Sequence, residues 1–513
     1  MGLSGFDAWG IVSIIAVLLL SLLVANMLKR RIPFLKKSLI PTSVLAGSLL
    51  LIISSIYTII TGEYLFELTF FGSPSKEALE AVESGLTAVK KEDLSLTGLE
   101  LLEIITYHSL ALGFIATAFK PVKEKLSKKR NVEVFNSGVT TVATYLLQAV
   151  LGITITMVFV WIGTKPFTPE NLTNYSGVLL AFGFGQGTGQ AFNFGQQYQN
   201  IDTTVKGFEN AVPFTNDGVD FGLSIASLGF ISAAIGGVVF LNILRRRAKK
   251  KLADPDFCET MLLDKVQSSE ELPMESSGVD KLTMQIAFIL GSYFAAYGIL
   301  FVLAKIIPDM KDTIYGFNFL VGVLVATVVC FVLRFMKKKK IIKHEYINPF
   351  LMKRIGGFFF DIMIISGMAA IKPDTLGKYW HILLIMAVIG AVATFLYLRF
   401  IAKKLFPEYK DEQFLATFGM LTGTASTGII LLREWDPHFK TPAADNLVYQ
   451  NFPAIVFGLP LMILAAPKNI AVHPFIIYGI LAAFFIVMNI ILFRSFIFRR
   501  RKKKTITENS TTE

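Results

Sequence analysis

The stretch LLAFGFGQGTGQAFNFG at residues 179–195, together with the related stretch ATFGMLTGTASTGII at residues 416–430, decides how this chain folds. Each is an apolar segment whose middle carries Gly, Thr and amide or hydroxyl side chains. At one offset of 236 residues the matches are Phe182-Gly183 with Phe418-Gly419, Gly187-Thr188 with Gly423-Thr424, and Asn210 with Asn446. Because Gly-rich tracts match one another easily, the membrane topology has to decide whether the two stretches are repeats.

The composition is typical of a protein that crosses a membrane many times. Of 513 residues, 53% are hydrophobic and only 17% are charged, which is too apolar for a soluble domain. The net charge of +12 comes from short Lys and Arg clusters beside apolar runs, so we expect no nucleic-acid partner. Cys258 and Cys330 give neither a disulfide framework nor a metal-ligand spacing. No basic segment precedes the first apolar run, so we expect no cleaved signal peptide.

Eleven apolar runs of about 20 residues are long enough to cross the hydrocarbon of a bilayer. In the first half of the chain they are 9–28, 39–60, 101–119, 137–162 and 216–243. In the second half they are 282–307, 314–333, 350–371, 379–401, 446–466 and 471–492. The lipid bilayer is therefore an expected partner, and we predict a multi-pass protein of the cell (inner) membrane.

Basic clusters assign the two sides of the membrane. They lie at 29–37, 120–130, 245–251, 337–340, 403–404 and 499–504. The positive-inside rule places all six in the cytoplasm, which predicts an external N-terminus and a cytoplasmic C-terminus. Counting the crossings then makes the first Gly-rich stretch enter from outside and return there. The second stretch enters from the cytoplasm and returns to it.

We therefore predict an all-α polytopic membrane protein with two inverted repeats, each of about five transmembrane helices plus one re-entrant hairpin, and an extra C-terminal transmembrane helix. The predicted parts are a first repeat at 1–244 with its hairpin at about 172–198, a cytoplasmic linker at 245–281, a second repeat at 282–466 with its hairpin at about 412–433, and an extra helix with a basic cytoplasmic tail at 467–513. The alternative is that one Gly-rich stretch is an ordinary span, which needs an uncounted crossing elsewhere.

Broken helices survive inside a bilayer only when they are buried in protein or line a watery cavity, so the two breaks indicate a binding site. Half-helix N-termini attract a carboxylate, and unwound carbonyls hold a sodium ion. The side chains with suitable oxygens and donors are Gln186, Thr188, Gln190 and Asn193 in the first stretch and Thr422, Thr424, Ser426 and Thr427 in the second. The alternative reading is that Gly, Ser and Thr only allow helices to pack closely.

Asp361 lies within the apolar run 350–371, and a carboxylate inside a membrane span is a functional candidate by default. We predict that it serves ion binding or coupling, and the alternative is a structural hydrogen bond to a neighbouring helix. His108 has more ordinary prospects as a packed or hydrogen-bonded residue. Glu103, Asp217 and Asp220 lie close to the predicted membrane interface, where we expect them to be solvated.

Enzyme motifs are absent from the sequence. It has no G-x-x-x-x-G-K-[ST] nucleotide loop, no H-E-x-x-H metal motif and no G-x-S-x-G elbow. We therefore expect no enzyme activity, no ATP-driven pumping and no cofactor.

The run PFLKKSLIPTSVLAG at residues 33–47, followed by the two Gly-Thr stretches, resembles the bacterial sodium/glutamate symporter family over residues of about 34–464. This resemblance implies a homodimer whose mobile domain carries an acidic amino acid with Na+ as the coupling ion. It points to Gly187, Thr188 and Gly189 in the first hairpin and to Gly423, Thr424 and Ala425 in the second.

The chain departs from the family at Gln186, where the family has His, in the second hairpin, which lacks the family's Gly-Ala-Thr-Pro-Thr pattern, and at Asp361, where the family has a small residue. We therefore predict a secondary active transporter that carries glutamate or a related small carboxylate with sodium by an alternating-access, elevator-like mechanism. Two alternatives stay open: a sodium- or proton-coupled carrier of a different organic anion, and an ion channel that uses the broken helices as a filter.

Overall fold

The computed structural model describes residues 6–37, 39–68, 71, 97–119, 127–163, 176–199, 217–248, 280–308, 311–342, 346–437, 440–467 and 474–495. All regular secondary structure in these ranges is helical. Nine of the described helices are long and apolar enough to cross a membrane. The chain is a multi-pass α-helical membrane protein, as the composition predicts. The predicted loop at residues 63–100, the linker and the C-terminal tail lie largely or wholly outside the described residues.

The helices of the first half are α1 (Phe6–Arg31), α2 (Pro33–Lys37), α3 (Thr42–Thr61), α4 (Gly98–Ala118), α5 (Lys128–Ile162), α6 (Leu179–Gln186), α7 (Thr188–Gln199) and α8 (Gly218–Ala248). The helices of the second half are α9 (Lys281–Ile306), α10 (Lys311–Gly316), α11 (Asn318–Lys338), α12 (Pro349–Ala369), α13 (Pro373–Leu405), α14 (Lys410–Thr422), α15 (Ala425–Arg433), α16 (Ala443–Tyr449), α17 (Asn451–Leu464) and α18 (Pro474–Leu492). Every one of the eleven predicted runs coincides with helix.

Two of those runs differ from a simple apolar span. Helix α12 carries Lys353, Arg354 and Asp361 and is not among the nine long apolar helices. The run 446–466 is divided between α16 and α17 at Gln450. Pro453 has no N–H to donate to the carbonyl of the residue four positions earlier, and this missing hydrogen bond explains the interruption.

The apolar side chains form two cores. Core A unites α5 and α6 with α8 and with α13 to α18; Phe240 and Phe414, for example, meet with ring centroids 4.5 Å apart. Core B consists of three adjoining clusters that share α4 and α12 and also take in α1, α3, α9 and α11. Helices α7 and α8 border both cores, because Phe192, Leu223 and Phe230 pack into core B.

Helices α6 and α7 form a hairpin, called hairpin 1 below. The rings of Phe182 and Phe194 are stacked with centroids 3.6 Å apart, whereas twelve residues of continuous helix would separate them by about 18 Å. The chain reverses at Gly187, whose φ of 83° is a left-handed conformation that favours glycine. The Gly-rich stretch is thus a break with a reversal and not a straight span.

Helices α14 and α15 form hairpin 2. A Cβ atom on Gly419 would lie 2.7 Å from the Cα of Gly428, so the two helices touch along their backbones. At the base of the hairpin, the indole N–H of Trp435 donates to Glu412 at 3.1 Å. Half-buried ion pairs attach the two ends of the hairpin to its neighbours: Asp411 to Arg399 on α13 at 2.6 Å, and Glu434 to Arg245 on α8 at 2.8 Å.

Candidate functional site

The tips of the two hairpins meet. A Cβ atom on Gly187 would lie 3.5 Å from the carbonyl oxygen of Gly423 and 3.5 Å from the methyl group of Thr424. Helix α7 begins at Thr188 and α15 begins at Ala425, so the N-termini of both returning helices lie at this junction. Residues that are 236 positions apart in sequence are therefore neighbours in space.

Buried polar atoms without a partner collect at the tip of hairpin 1. Thr188 is fully buried and Gln190 is 1% exposed. Among the described residues, the Thr188 hydroxyl, both amide atoms of Gln190 and the amide nitrogen of Gln186 have no hydrogen-bond partner. A buried polar group without a partner costs about 1–3 kcal/mol, so such a group of atoms indicates a place for a ligand or water.

Hairpin 2 satisfies its own polar side chains. The Thr424 hydroxyl caps α15 by accepting from the backbone N–H of Thr427 at 3.4 Å, and it lies 3.3 Å from the Thr427 hydroxyl. The Thr422 hydroxyl donates to the carbonyl of Phe418 at 2.6 Å. Ala425 and Ser426 are exposed at the start of α15. The structure therefore brings Gln186 to Gln190 together with Thr422 to Thr424 but leaves the next two predicted residues at the rim.

Core B supplies one wall of the junction. A Cβ atom on Gly367 of α12 would lie 3.2 Å from the Cβ of Thr188. Beside it, the hydroxyls of Thr106 on α4 and Ser366 on α12 are 2.8 Å apart and fully buried. Gly189 has no room for a side chain, because its Cβ would lie 2.5 Å from a methyl group of Leu110. The tip of hairpin 1 is therefore inserted between the two cores.

Gln148 of α5 supplies the opposite wall, and the sequence reasoning missed it. Its amide nitrogen donates to the carbonyl of Leu421 at 2.8 Å and to Thr394 at 3.1 Å, while its amide oxygen has no partner among the described residues. A signal was present in the sequence: Ser137, Thr141, Thr144 and Gln148 recur at helical spacing within an apolar run. All four are buried, and together they give α5 one polar face.

The polar face of α5 is bonded to the second half of the chain. Ser137 and Thr141 both donate to the amide oxygen of Gln450, at 2.6 and 3.1 Å. At the start of α5, Arg130 donates to Asn446 at 2.9 Å, and Asn446 donates to Gln413 of hairpin 2 at 2.8 Å. This face therefore leads in a polar row from the start of α5 to the junction of the tips.

Asn193 lies away from the tips. It is five residues beyond Thr188, or about 8 Å along the axis of α7. Its side-chain amide donates to the carbonyl of Gly316, where α10 ends, and a Cβ on that glycine would also meet the amide nitrogen of Gln197 at 2.5 Å. The residue thus joins α7 to the start of α11 in core B.

Asp361 also lies apart from the junction. It is exposed on the surface of the single chain, and its carboxylate is hydrogen-bonded to Ser43 of α3. Six residues of α12 separate it from Gly367, about 9 Å along the helix axis. A role for Asp361 in coupling remains a prediction, and in this structure it is not part of the site at the tips.

Two carboxylates expected to be solvated are instead held by other groups. Asp220 is 2% exposed and accepts from the backbone N–H of Lys372 at 2.9 Å. Asp217 forms an ion pair with Lys378 at 2.5 Å. Their expected solvation was wrong because the start of α13 folds over the start of α8. Nearby, the Tyr64 hydroxyl donates to Asp374 at 2.6 Å, and burial together with this bond raises the pKa of Tyr64.

His108 is a packed residue, as expected. Its Nδ1 is 2.7 Å from the hydroxyl of Tyr293, and that hydroxyl also accepts from Asn318 at 3.2 Å. Within the described ranges, no group of three or more His, Cys, Asp or Glu is placed to hold a metal ion. Any cation at the tips would be held by neutral oxygens.

Comparisons of the chain with models of known protein families and with curated proteins find no match. The fold itself defines a multi-pass helical membrane protein, consistent with a transporter. Its candidate site is the junction of two broken helices.

Proposed function

We propose that the chain is a secondary active transporter that couples sodium to the movement of a small carboxylate. One observation carries the proposal: two helical hairpins meet tip to tip at a buried junction that contains several polar atoms without partners among the described residues. Broken helices with this arrangement are how secondary transporters build a site at membrane depth.

The junction suits an anion. The N-termini of α7 and α15 each carry about half a positive charge, and their first N–H groups have no partner within their own helices. The amide nitrogens of Gln186 and Gln190, unpartnered within the described ranges, add two further donors. A carboxylate placed here gains these bonds without needing a buried cationic side chain. The resemblance to sodium/glutamate symporters makes glutamate, or a related acidic amino acid, the first candidate.

Neutral oxygens at the same place suit sodium. The carbonyl of Gly423 lies beside Gly187, and the carbonyl of Thr422 lies 2.6 Å from the place of a Cβ on Gly229 of α8. Hydroxyls of Thr188 and Thr424 lie beside them. Oxygen ligands of this kind are the ones that hard cations prefer. We propose Na+ as the coupling ion on this basis and on the family resemblance.

Two features of the fold support an inverted-repeat, elevator-like mechanism. Helix α6 ends at Gln186 and α14 ends at Thr422, at the same offset of 236 residues found in the sequence. The first long helices of each half enter core B and the later ones enter core A, so helices paired by the repeats share a core. Core A and the hairpins then form the mobile part. The homodimer and the sidedness predicted from the sequence belong to the same proposal.

Counterflow in proteoliposomes tests the proposal. Purified protein is reconstituted with one unlabelled carboxylate inside, and uptake of the labelled compound is measured with sodium present or replaced by choline. We expect sodium-dependent exchange for at least one small carboxylate, whereas a channel would give a current without counterflow. Exchange that persists when the sodium gradient is collapsed at a constant proton gradient would contradict sodium coupling.

A further inference from the structure

Gln190 is placed to act at the tip of hairpin 1. It is the third residue of α7, and side chains in an α-helix point back towards its N-terminus. A Gln at this position ordinarily caps a free N–H group at the start of its own helix. Here neither amide atom has a partner in the described part of the chain, although the side chain is 1% exposed. The fold thus holds the Gln190 amide at the break without using it.

The amide of Gln190 offers one kind of bonding pattern. Its nitrogen donates and its oxygen accepts, side by side. A partner that satisfies both atoms needs an acceptor and a donor in the same arrangement, as in a primary amide or a protonated carboxyl group. An ionised carboxylate has acceptors only and would leave the Gln190 oxygen buried against another oxygen.

The charge available at the junction points the same way. Two helix N-termini contribute together about one positive charge. In the described part of the chain, no hydrogen bond or ion pair brings a Lys or Arg to Gln186, Thr188 or Gln190. One carboxylate is therefore compensated at the tips, and a second carboxylate has no positive group among those residues to meet it.

We propose, on the basis of the transport function proposed above, that Gln190 determines specificity by binding a primary amide or a protonated carboxyl group of the substrate. The substrate's one carboxylate lies at the N-termini of α7 and α15. The preferred substrate class is then a short amino acid with a terminal amide. A dicarboxylic amino acid is carried only with its side-chain carboxyl protonated, so it brings one proton with it.

Ligand binding to the purified full-length protein in detergent tests this inference. Thermal stabilisation is titrated with glutamine, asparagine, glutamate and aspartate in sodium buffer. At pH 7.5 we expect an amide amino acid to bind about tenfold or more tightly than its carboxylate counterpart. Lowering the pH to 5.5 raises the affinity for glutamate but not for glutamine, because the side-chain carboxyl of free glutamate, with a pKa of about 4.3, becomes protonated more often.

Gln190→Met keeps the length of the side chain and removes both polar atoms. We expect this variant to lose the preference for the amide and the pH dependence of glutamate binding, with unchanged thermal stability in the absence of ligand, since no hydrogen bond is broken. Gln196→Met, a half-buried position on the same helix, is the matched control and retains both.

The outcomes separate this inference from the proposed function. Equal or tighter binding of glutamate at pH 7.5, or an unchanged preference in Gln190→Met, overturns the inference while leaving sodium-coupled transport intact. If no carboxylate in the counterflow panel is bound or exchanged, the transport function fails and the inference fails with it.

Discussion

One threonine follows the glycine at each break, and the two threonines are in different states. The Thr188 hydroxyl is fully buried with no partner in the described part of the chain, whereas the Thr424 hydroxyl caps α15. In the sequence they are equivalents at one offset. Their hydrogen bonds predict different consequences for the same substitution.

Thr188→Val should leave folding unharmed and weaken ligand binding. The variant loses no hydrogen bond that the described part of the chain makes, so its unfolding temperature stays at or slightly above that of the parent. A lost ligand bond of about 1–3 kcal/mol lowers apparent substrate or sodium affinity about tenfold or more. Scanning fluorimetry with and without ligand measures both quantities in one sample.

Thr424→Val should be destabilising as well. It removes the N-cap of α15, which costs about 1 kcal/mol, in addition to any ligand bond. A lower unfolding temperature for Thr424→Val than for Thr188→Val is the expected order. Parent-like binding in both variants would show that the hairpins only pack.

The sequence predicts residues unevenly. Gly187 and Gly423 could be placed at the breaks, because glycine flanked by polar residues within an apolar run is typical of an interrupted helix. That Gln190 is unbonded within the described ranges could not be predicted, since its partners depend on α7 meeting core B. The surface position of Asp361 has the same cause: a run of apolar letters does not tell which face of α12 lies against α3.

Among the helices, a very close approach near the site joins α5 to the entry of hairpin 1. A Cβ on Gly152 would lie 1.9 Å from the carbonyl oxygen of Gly177, and a Cβ on Gly177 would lie 1.9 Å from the carbonyl oxygen of Gly152. Backbone meets backbone here, so no flexible side chain can move aside.

Gly152→Ala should therefore destabilise the protein by about 3 kcal/mol or prevent its folding. Gly479→Ala on α18 is the control, because nothing in the described structure lies within 4 Å of its Cβ. The control should be neutral or gain up to about 1 kcal/mol from helix propensity. Yield of monodisperse protein and thermal unfolding in detergent compare the two, and a well-folded Gly152→Ala would disprove this packing.

Helix positions could be predicted from sequence because apolar runs of fixed length leave few choices in a bilayer. The reversal in each Gly-rich stretch needed the topology count, and both stretches fold back in the structure. The division of the run 446–466 at Gln450 was signalled by Pro453 but was not used.

For the molecule as a whole, two cores and one junction predict relative motion. Asn193 and Gln197 on α7 meet Gly316 at the boundary of core B. Cysteines at Gln197 and Gly316, in a background without Cys258 and Cys330, should react with a short bifunctional reagent. If core A moves against core B, the linked protein loses exchange but still binds ligand, and cleavage of the link restores exchange.

The matched control links Arg245→Cys to Glu434→Cys, which joins α8 to hairpin 2 inside core A. This second link should leave exchange intact, apart from the loss of the ion pair. Full exchange by protein linked between Gln197 and Gly316 would rule out sliding at this boundary.

The two hairpins should be reached from opposite sides. Single cysteines at Gln186 and at the exposed Ser426, in the same background, should react with a membrane-impermeant maleimide from the outside and from the cytoplasm respectively. The reason is the parity of crossings between the basic clusters. Labelling of both from one side would exclude the inverted repeats.

The arrangement of cores could not be predicted from the sequence, because the pairing of α4 with α12 or of α5 with α14 depends on contacts between distant segments. The basic clusters give sidedness, and the offset of 236 residues gives the order of elements. Neither tells which helices share a core.

The polar face of α5 also has a consequence for biogenesis. Gln148 finds its partner Leu421 only 273 residues later in the chain, and Ser137 waits 313 residues for Gln450. At a synthesis rate of about 5–20 residues per second, α5 leaves the ribosome roughly 15–60 seconds before these partners exist. During that interval its hydroxyls and amide need temporary shelter in the insertion machinery or among the first helices, so nascent chains truncated before hairpin 2 should be prime targets for membrane quality-control proteases.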